Sequence, residues 1–525
     1  MSNSPAQTKA ASSEIQAGDP SPSTHAVDLT RRGFLRAGGA GALAAGGLAA
    51  GGLLAPGTAG AAVIGPLDRQ DRRERAMRVR QRAARNLFED RLPEQPCNGD
   101  ETAYADRRAC FTKTMPQDNL GEVDTGTYRR YLNALERGYQ GALESVPASP
   151  QAERGLANPL AAYAYEMTGG DAHSSRIPPA PAFSSPTAAA EMGEVYWQAL
   201  TRDVPFNEYG SHPLIGAALD DLNRFSATVG PRQNGRVTAR TLFRGETPGD
   251  RVGPYLSQFL WLDIPFAQRF LDQRYEQPLA GDDFMVDYSE WLTVQRGAQP
   301  IRSITFDPTP RYIASNRGLG EWVHVDFSFQ AYLNAALIML GFGPDALSET
   351  NPYLQISRQE SFATFGGPFV LDLVTKAASV GLKTAWFQKW LVHRRLRPEA
   401  FGGRVENQQS GAKDYGVHGD LMRSNAIERV LSANGTALLP VAFPEGSPTH
   451  PSYPAGHACM AGACATVLKA CFNESYAIQA PVIATSDGLA LDDWTGDDLT
   501  LGGEINKLAN NISIGRDAAG VHYRS

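Results

Sequence analysis

Apolar residues recur at helical spacing in one segment after another of this chain, and long stretches rich in proline and glycine separate those segments. The alternation favours helices packed on helices, because each apolar stripe needs another surface to cover it. At 185–200, Ser185 and Pro186 supply a cap and a first turn, and Met192, Val195, Tyr196, Ala199 and Leu200 fall at i, i+3, i+4, i+7 and i+8. Residues 71–91 read as a charged helix, 127–146 as an amphipathic one, and 327–340 as another that stops at Gly341. Only 236–245 and 303–308 look like strands. The connections at 147–186, 229–255, 400–420 and 434–456 are long enough to carry function. The expected fold is all-α: one large helical domain over 62–525, with long loops, few short strands and a soft boundary near 365.

Charge and cysteine usage narrow the function. A net charge of −7 without a long basic run argues against nucleic acid as the partner. Outside the weakly apolar Gly/Ala/Leu stretch near the N-terminus, no segment approaches the ~18 consecutive apolar residues that a membrane span requires. None of the five cysteines forms a CxxC pair, so a structural zinc site is not expected. Cys459, Cys464 and Cys471 share one helical segment and read as small core fillers. The N-terminus is polar over 1–29; Thr30, Arg31, Arg32, Phe34 and Leu35 then match the twin-arginine export signal, and Ala59-Gly60-Ala61 offers a cleavage site. Residues 1–61 are therefore expected to be a disordered tail plus an export signal, and the mature protein to work in the periplasm or outside the cell. In that oxidising setting Cys97 and Cys110 are candidates to pair.

Three stretches of the last third concentrate groups suited to an oxyanion. In KTAWFQKWLVHRRLRPEAF, Trp386, Lys389, His393 and Arg397 are spaced three, four and four apart, which places them on one helical face. Pro398 disfavours helix at Arg397 and leaves its guanidinium at an exposed end. Taken alone, the run also reads as a solvated basic face, with His393 structural. In SPTHPSYPAGHACMAG, Pro448, Pro451 and Pro454 stiffen the approach to Gly456 and His457, where a helix start offers free N–H groups. NNISIGRDAAGVHYRS adds Arg516 and His522, and Glu504 and Asp517 are candidates to buttress the arginines. Together the stretches supply three cations, a glycine amide and two imidazoles.

The order Lys-x7-Arg-Pro, Pro-Ser-Tyr-Pro-x-Gly-His, Arg-x5-His resembles the signature shared by vanadium-dependent haloperoxidases and the type 2 phosphatidic acid phosphatase superfamily. Segments 97–123, 247–266 and 386–403 are similar to algal-type bromoperoxidases and their bacterial relatives. That resemblance implies two four-helix bundles, homo-oligomers and a vanadate cofactor. It implies that Lys389, Arg397, Gly456 and Arg516 bind vanadate oxygens, that His522 coordinates vanadium, and that His457 bonds the apical oxygen and acts as acid–base. Trp386 and His450 would line the pocket, and Lys389 would polarise bound hydrogen peroxide for attack by halide, with an organic acceptor halogenated afterwards. Histidine at 450, where the fungal chloroperoxidase branch has an aromatic, favours bromide and iodide over chloride.

Two departures from the family pattern stand out. Ala455 replaces the usual serine before Gly-His, removing one donor worth about 0.5–1.5 kcal/mol net. The family continues beyond HYRS with an aspartate and a further helical segment, whereas this sequence stops at Ser525, so His522 is expected near a fraying terminus of a chain lacking its last segment. The same residues also suit phosphomonoester hydrolysis, with His522 as nucleophile and His457 protonating the leaving alcohol. A third reading is an exported relative that binds without catalysis.

Overall fold

Ser185 accepts the Ala188 amide at 3.1 Å and Pro186 opens the first turn, so the helix begins where its cap dictates. It is the third of twelve helices of eight or more residues in the computed structural model, which describes residues 70–525 apart from 168. In chain order these are α1 (Gln70–Glu89), α2 (Thr125–Arg137), α3 (Pro186–Leu200), α4 (Pro213–Leu222), α5 (Tyr288–Gln295) and α6 (Asn316–Val325). They continue with α7 (Gln330–Gly341), α8 (Gly367–Phe387), α9 (Pro398–Gln409), α10 (Asn425–Asn434), α11 (Gly456–Cys471) and α12 (Leu501–Ala518). The strands form three antiparallel two-stranded ribbons: β1 (Ile264–Phe266) with β2 (Arg269–Leu271), β3 (Tyr275–Pro278) with β4 (Phe306–Arg311), and β5 (Val482–Ala484) with β6 (Leu491–Asp493). The mostly helical architecture is the one expected. Every described residue lies in one compact unit. The export motif at 30–35 and the cleavage site at 59–61 lie outside the described residues.

The helices that carry the chemistry pack on one another. α8 lies along α11, α11 along α12, and α12 along α6. Small residues permit the first approach: an added Cβ at Gly381 would sit 3.3 Å from the Cys459 carbonyl, and the buried Cys464 thiol donates to Val374 O at 3.5 Å. One hydrophobic cluster runs from Ala109 to Tyr523 and includes Val195, Tyr196, Val374, Ala378, Met460, Leu468, Ile505 and Ile512. Two smaller clusters flank the future site, one around Trp291, Phe443 and Val521, the other around Phe111, Tyr128, Tyr131 and Trp390. Among the described residues, no helix is long and apolar enough to cross a membrane.

Several local expectations need correction. The helix read over 127–146 ends at Arg137, because Gly138 takes a left-handed φ of 64° and a separate turn begins at Gln140. Residues 236–245 form turns instead of a strand, with the Thr241 amide bonding Thr238 O at 2.9 Å. The second strand-like stretch is shifted to β4, three residues beyond its expected start. Cys97 and Cys110 do not pair: one is exposed, the other buried, and burial pushes the Cys110 thiol up to about 12. Cys464 is a core filler as expected, while Cys459 and Cys471 are half-buried. α1 forms with no buried residue along its length.

Trp291 ties the second cluster to the site. Its indole donates to Glu399 O at 2.9 Å, and its ring fills the space beside Gly121 and Gly403. A methyl group at Gly403 would overlap the buried ring. Helix propensity alone favours alanine there by about 1 kcal/mol. Overpacking against a rigid indole outweighs it, so Gly403→Ala is expected to lower stability by about 1–3 kcal/mol, read as a lower urea midpoint; an unchanged or raised midpoint would show that the ring yields.

Candidate active site

α8 does not continue through the basic run as its spacing suggests. It ends at Phe387, a π-helical turn spans Gln388–His393, and Arg394 takes a left-handed φ of 41°. Arg397 then adopts extended backbone (φ −83°, ψ 156°) and Pro398 opens α9. The four residues therefore do not share a helical face. Lys389 points inward from the π turn, and Arg397 reaches the same place from the loop, fully buried and not at an exposed end. His393 turns away: its ring meets Tyr453 edge-on at 4.8 Å, and burial with Arg394 and Arg395 pulls it down to about 4.

Backbone carbonyls hold the cations in place. Lys389 Nζ donates to Pro451 O at 2.7 Å and Ser452 O at 3.0 Å. Arg397 donates to His450 O and Val521 O, both at 2.8 Å, and Arg516 Nη1 to Val323 O at 2.7 Å. The proline-rich loop 448–454 thus aims its carbonyls at Lys389 and Arg397. Arg397 also donates to the Nε2 of His522 at 2.9 Å and the Nδ1 of His450 at 2.8 Å. A guanidinium has no acceptor, so the Nε2 of His522 offers it a lone pair; His450 Nδ1 lies between Arg397 and Pro451 O, which is 3.2 Å away. Burial, then the charges of Arg397 and Lys389, holds each histidine well below its ordinary value. Trp386 leans on His450 at 4.6 Å, donates its indole N–H to Ala157 O at 3.1 Å, and stands 6.0 Å from the Lys389 ammonium.

Gly456 starts α11 directly beneath this cluster. A Cβ there would come within 3.2 Å of Trp386 and 3.3 Å of Leu382, so the bare backbone is needed to let the indole close. Ala455 at the N-cap supplies no side-chain bond, leaving the first N–H groups of the helix available. His457, next along, bonds Asp326 Oδ1 through Nε2 at 2.9 Å. Burial lowers its pKa while the Asp326 bond works in the other direction. The charges of Arg516 and Lys389 oppose protonation of His457, Arg397 and Lys389 repel across the same space, and Arg516 disfavours both of them. All eight expected residues therefore belong to one electrostatic neighbourhood.

Two expectations fail. Glu504 pairs with Lys507 at 2.5 Å and accepts the Gln258 amide, so it does not buttress an arginine. The segment after His522 is not frayed: Tyr523 is buried under the Arg395 guanidinium at 3.7 Å, Arg524 pairs with Glu194, and Ser525 bonds Arg395 and Glu191. Asp326 was not visible as a site residue in the sequence. Its signal was a lone acid between the apolar Val325 and Phe327, one residue past α6, and nothing local marks its partner 131 positions away.

The donor set fits a tetrahedral or trigonal-bipyramidal oxyanion. Lys389, Arg397 and Arg516 are buried, and no ion pair among the described residues includes any of them. Burial lowers Arg397 to about 9 and Arg516 to about 10, and Arg516 Nε has no partner. Asp326, Glu445 and Asp517 support the charge of Arg516 from a distance, and Glu399 that of Arg397, but none of them pairs with a cation of the trio, and three such unpaired cations ask for an anion. Among the described residues no group of three or more His, Cys, Asp or Glu could hold a metal ion.

No protein-family model matches the chain. It is 35% identical over 490 residues to a vanadium-dependent bromoperoxidase of Ascophyllum nodosum, covering 87% of this chain and 86% of that protein. The chain belongs to the vanadium-dependent bromoperoxidase family. The bromoperoxidase of Corallina pilulifera is 34% identical over 502 residues, with 79% of this chain and 84% of that one covered. The homohexameric structure of the second vanadate-dependent bromoperoxidase from Ascophyllum nodosum matches with a TM-score of 0.84 at 28% identity, covering 91% of this chain and 86% of its own. The uncapped start of α11 in this bromoperoxidase-family chain has a measurable consequence. Ala455→Ser adds an N-cap acceptor and is expected to stabilise the vanadate-free protein by about 0.5–2 kcal/mol, seen as a higher urea midpoint; no gain would mean that the cap geometry is not met.

Proposed function

We propose that this protein is a vanadate-dependent haloperoxidase, oxidising bromide and iodide with hydrogen peroxide to hypohalous acid, which then halogenates organic acceptors. The single observation that carries the reading is the buried trio Lys389, Arg397 and Arg516, none of them in an ion pair, beside the neutral His522. Family membership supplies the anion's identity.

In this reading the trio and the Gly456 amide would hold the vanadate oxygens, and the Nε2 lone pair of His522 would be the protein's ligand to vanadium. Vanadate held there would supply a Lewis-acidic centre that activates hydrogen peroxide toward halide without changing oxidation state. His457 manages the protons. Its Nε2 is committed to Asp326, which leaves Nδ1 to take a proton from peroxide and return it to a leaving oxygen. Lys389 spreads negative charge from the reacting oxygens, and burial makes each of its hydrogen bonds stronger than in water. Trp386 and His450 wall the pocket, and the neutral His450 leaves the positive charge of Arg397 available to the anion.

We also propose that the chain is exported by the twin-arginine route, on the strength of Arg31 and Arg32 and the residues after them. It is proposed to self-associate, since α1 buries nothing in the single chain and its Met77 and Phe88 are exposed. Dialysis against vanadate followed by metal analysis is expected to give one vanadium per chain, with bromination of monobromodimedone only when vanadate, peroxide and bromide are all present. His522→Ala should lose retained vanadium and activity together, and Lys389→Ala should weaken vanadate binding by about 1.5–3 kcal/mol. Retention of vanadium by His522→Ala at the parent's affinity would refute the assignment.

A further inference from the structure

The end of α6 bonds the site at two of four consecutive positions. Val323 O accepts Arg516, Asp326 bonds His457, and His324 lies between them. His324 is not part of the anion cradle. Its Nδ1 is 3.2 Å from Glu321 Oε2 and its Nε2 2.8 Å from Glu445 Oε1, and its ring stacks on Phe443 at 3.8 Å and 11°. The Arg516 guanidinium stands 5.7 Å from that Phe443 ring. Two carboxylates can be satisfied together only by an imidazole that donates from both nitrogens, which is the charged form.

We infer that His324 is a positioning residue for the anion site, clamping the end of α6 to the 443–447 loop so that Arg516 and His457 keep their places. The inference rests on the function proposed above. Without the imidazolium, Glu321 and Glu445 face each other across the gap with nothing between their charges, and α6 and the loop are pushed apart. Val323 O and Asp326 move with α6, so Arg516 and His457 lose their alignment together.

The charged groups around His324 are few enough to give the clamp a pH signature. Glu321 faces it from α6 and Glu445 from the loop; Arg516 stands beyond Phe443 on α12, and Asp326 follows two residues later. Lys113 and Arg154 reach the Glu445 carbonyl and anchor the loop's backbone. Burial opposes the charge on His324, but the bonds to Glu321 and Glu445 outweigh it and raise the group from 6.5 to about 9. A raised pKa means the contribution is complete below the unfolded value of 6.5 and is lost as pH rises through about 9.

The test compares the full-length protein with His324→Phe, which keeps the stack and removes the charge, and with Glu445→Gln, which removes one partner. Vanadate affinity is measured by equilibrium dialysis and metal analysis from about pH 6 to about pH 10, and urea midpoints are recorded on the same samples. Vanadate's own protonation cancels in the ratio of parent to variant. His324→Phe is expected to bind about tenfold more weakly at the acid end, with the gap in affinity and in midpoint closing toward the alkaline end. In Glu445→Gln the loss of affinity should begin at a lower pH than in the parent, because one carboxylate fewer supports the charge. A gap that is absent, or that stays constant across the range, would overturn the inference and leave His324 a packing residue. A parent that takes up no vanadate at any pH would instead overturn the function on which the inference rests.

Discussion

Three buried cations, none of them paired with a carboxylate, are the condition that the rest of this structure has to meet. Removing a charge from water costs several kcal/mol even after relaxation. Ordinary proteins offset that cost with a paired opposite charge, and here the protein offers dipoles. Lys389, Arg397 and Arg516 rest on the carbonyls of residues 451, 452, 450, 521 and 323. Regular helix or sheet spends its carbonyls on its own ladder. The 448–454 loop is irregular for that reason, and its prolines keep it extended without needing N–H partners. These partial charges take up most of the cations' donors, though not Arg516 Nε, and do not cancel their charge, and the remainder attracts an oxyanion.

Around that unbalanced centre the structure becomes electrostatically conventional. Lys113 and Glu399 form a buried pair at 2.7 Å one layer out, and Glu399 also accepts Gln295 at 2.9 Å. Lys113 donates to Glu445 O and Ser447 O, which fixes the start of the loop that ends at His450 and Ser452. Glu399 lies two residues past Arg397 on α9, so the pair also sets where that guanidinium emerges. Arg395 with Glu191, and Arg524 with Glu194, do the same for the segment that carries His522. Neutral pairs in the outer layer supply rigidity without altering the net charge within.

The helices were legible in the sequence because their information is local. Ser185-Pro186 and the stripe after it specify α3 without reference to any other part of the chain. The cradle residues were legible as a set because each sits in a short run of unusual composition, and the order of those runs carried the resemblance. What failed was geometry that depends on distant partners. The three-four-four spacing from Trp386 to Arg397 implied a shared face, but Trp390 packs into the cluster of Phe111, Tyr128 and Tyr131, and the chain there forms a π turn before turning out at Arg394. Asp326 and His324 have no local signature, since an acid and a histidine at a helix end read as ordinary surface until Glu445 and His457 are seen beside them. Gly138 is a helix stop that the apolar spacing continuing beyond it conceals.

The partners of Arg397 show how one side chain ties separate loops into a site. Its Nη1 donates to the Nε2 lone pair of His522 at 2.9 Å and its Nε to His450 O at 2.8 Å, so a single guanidinium joins the proline-rich loop to the segment that carries His522. One lone pair serves one partner at a time, so any other group that bonds this nitrogen has to displace Arg397. The segment 523–525 decides which side chain yields: the Tyr523 hydroxyl donates to Leu396 O at 3.1 Å and its ring lies under Arg395, which fixes the backbone of His522. Under the function proposed above, Arg397 would therefore be the group that turns, toward an oxygen of the anion, with its bond to His450 O kept.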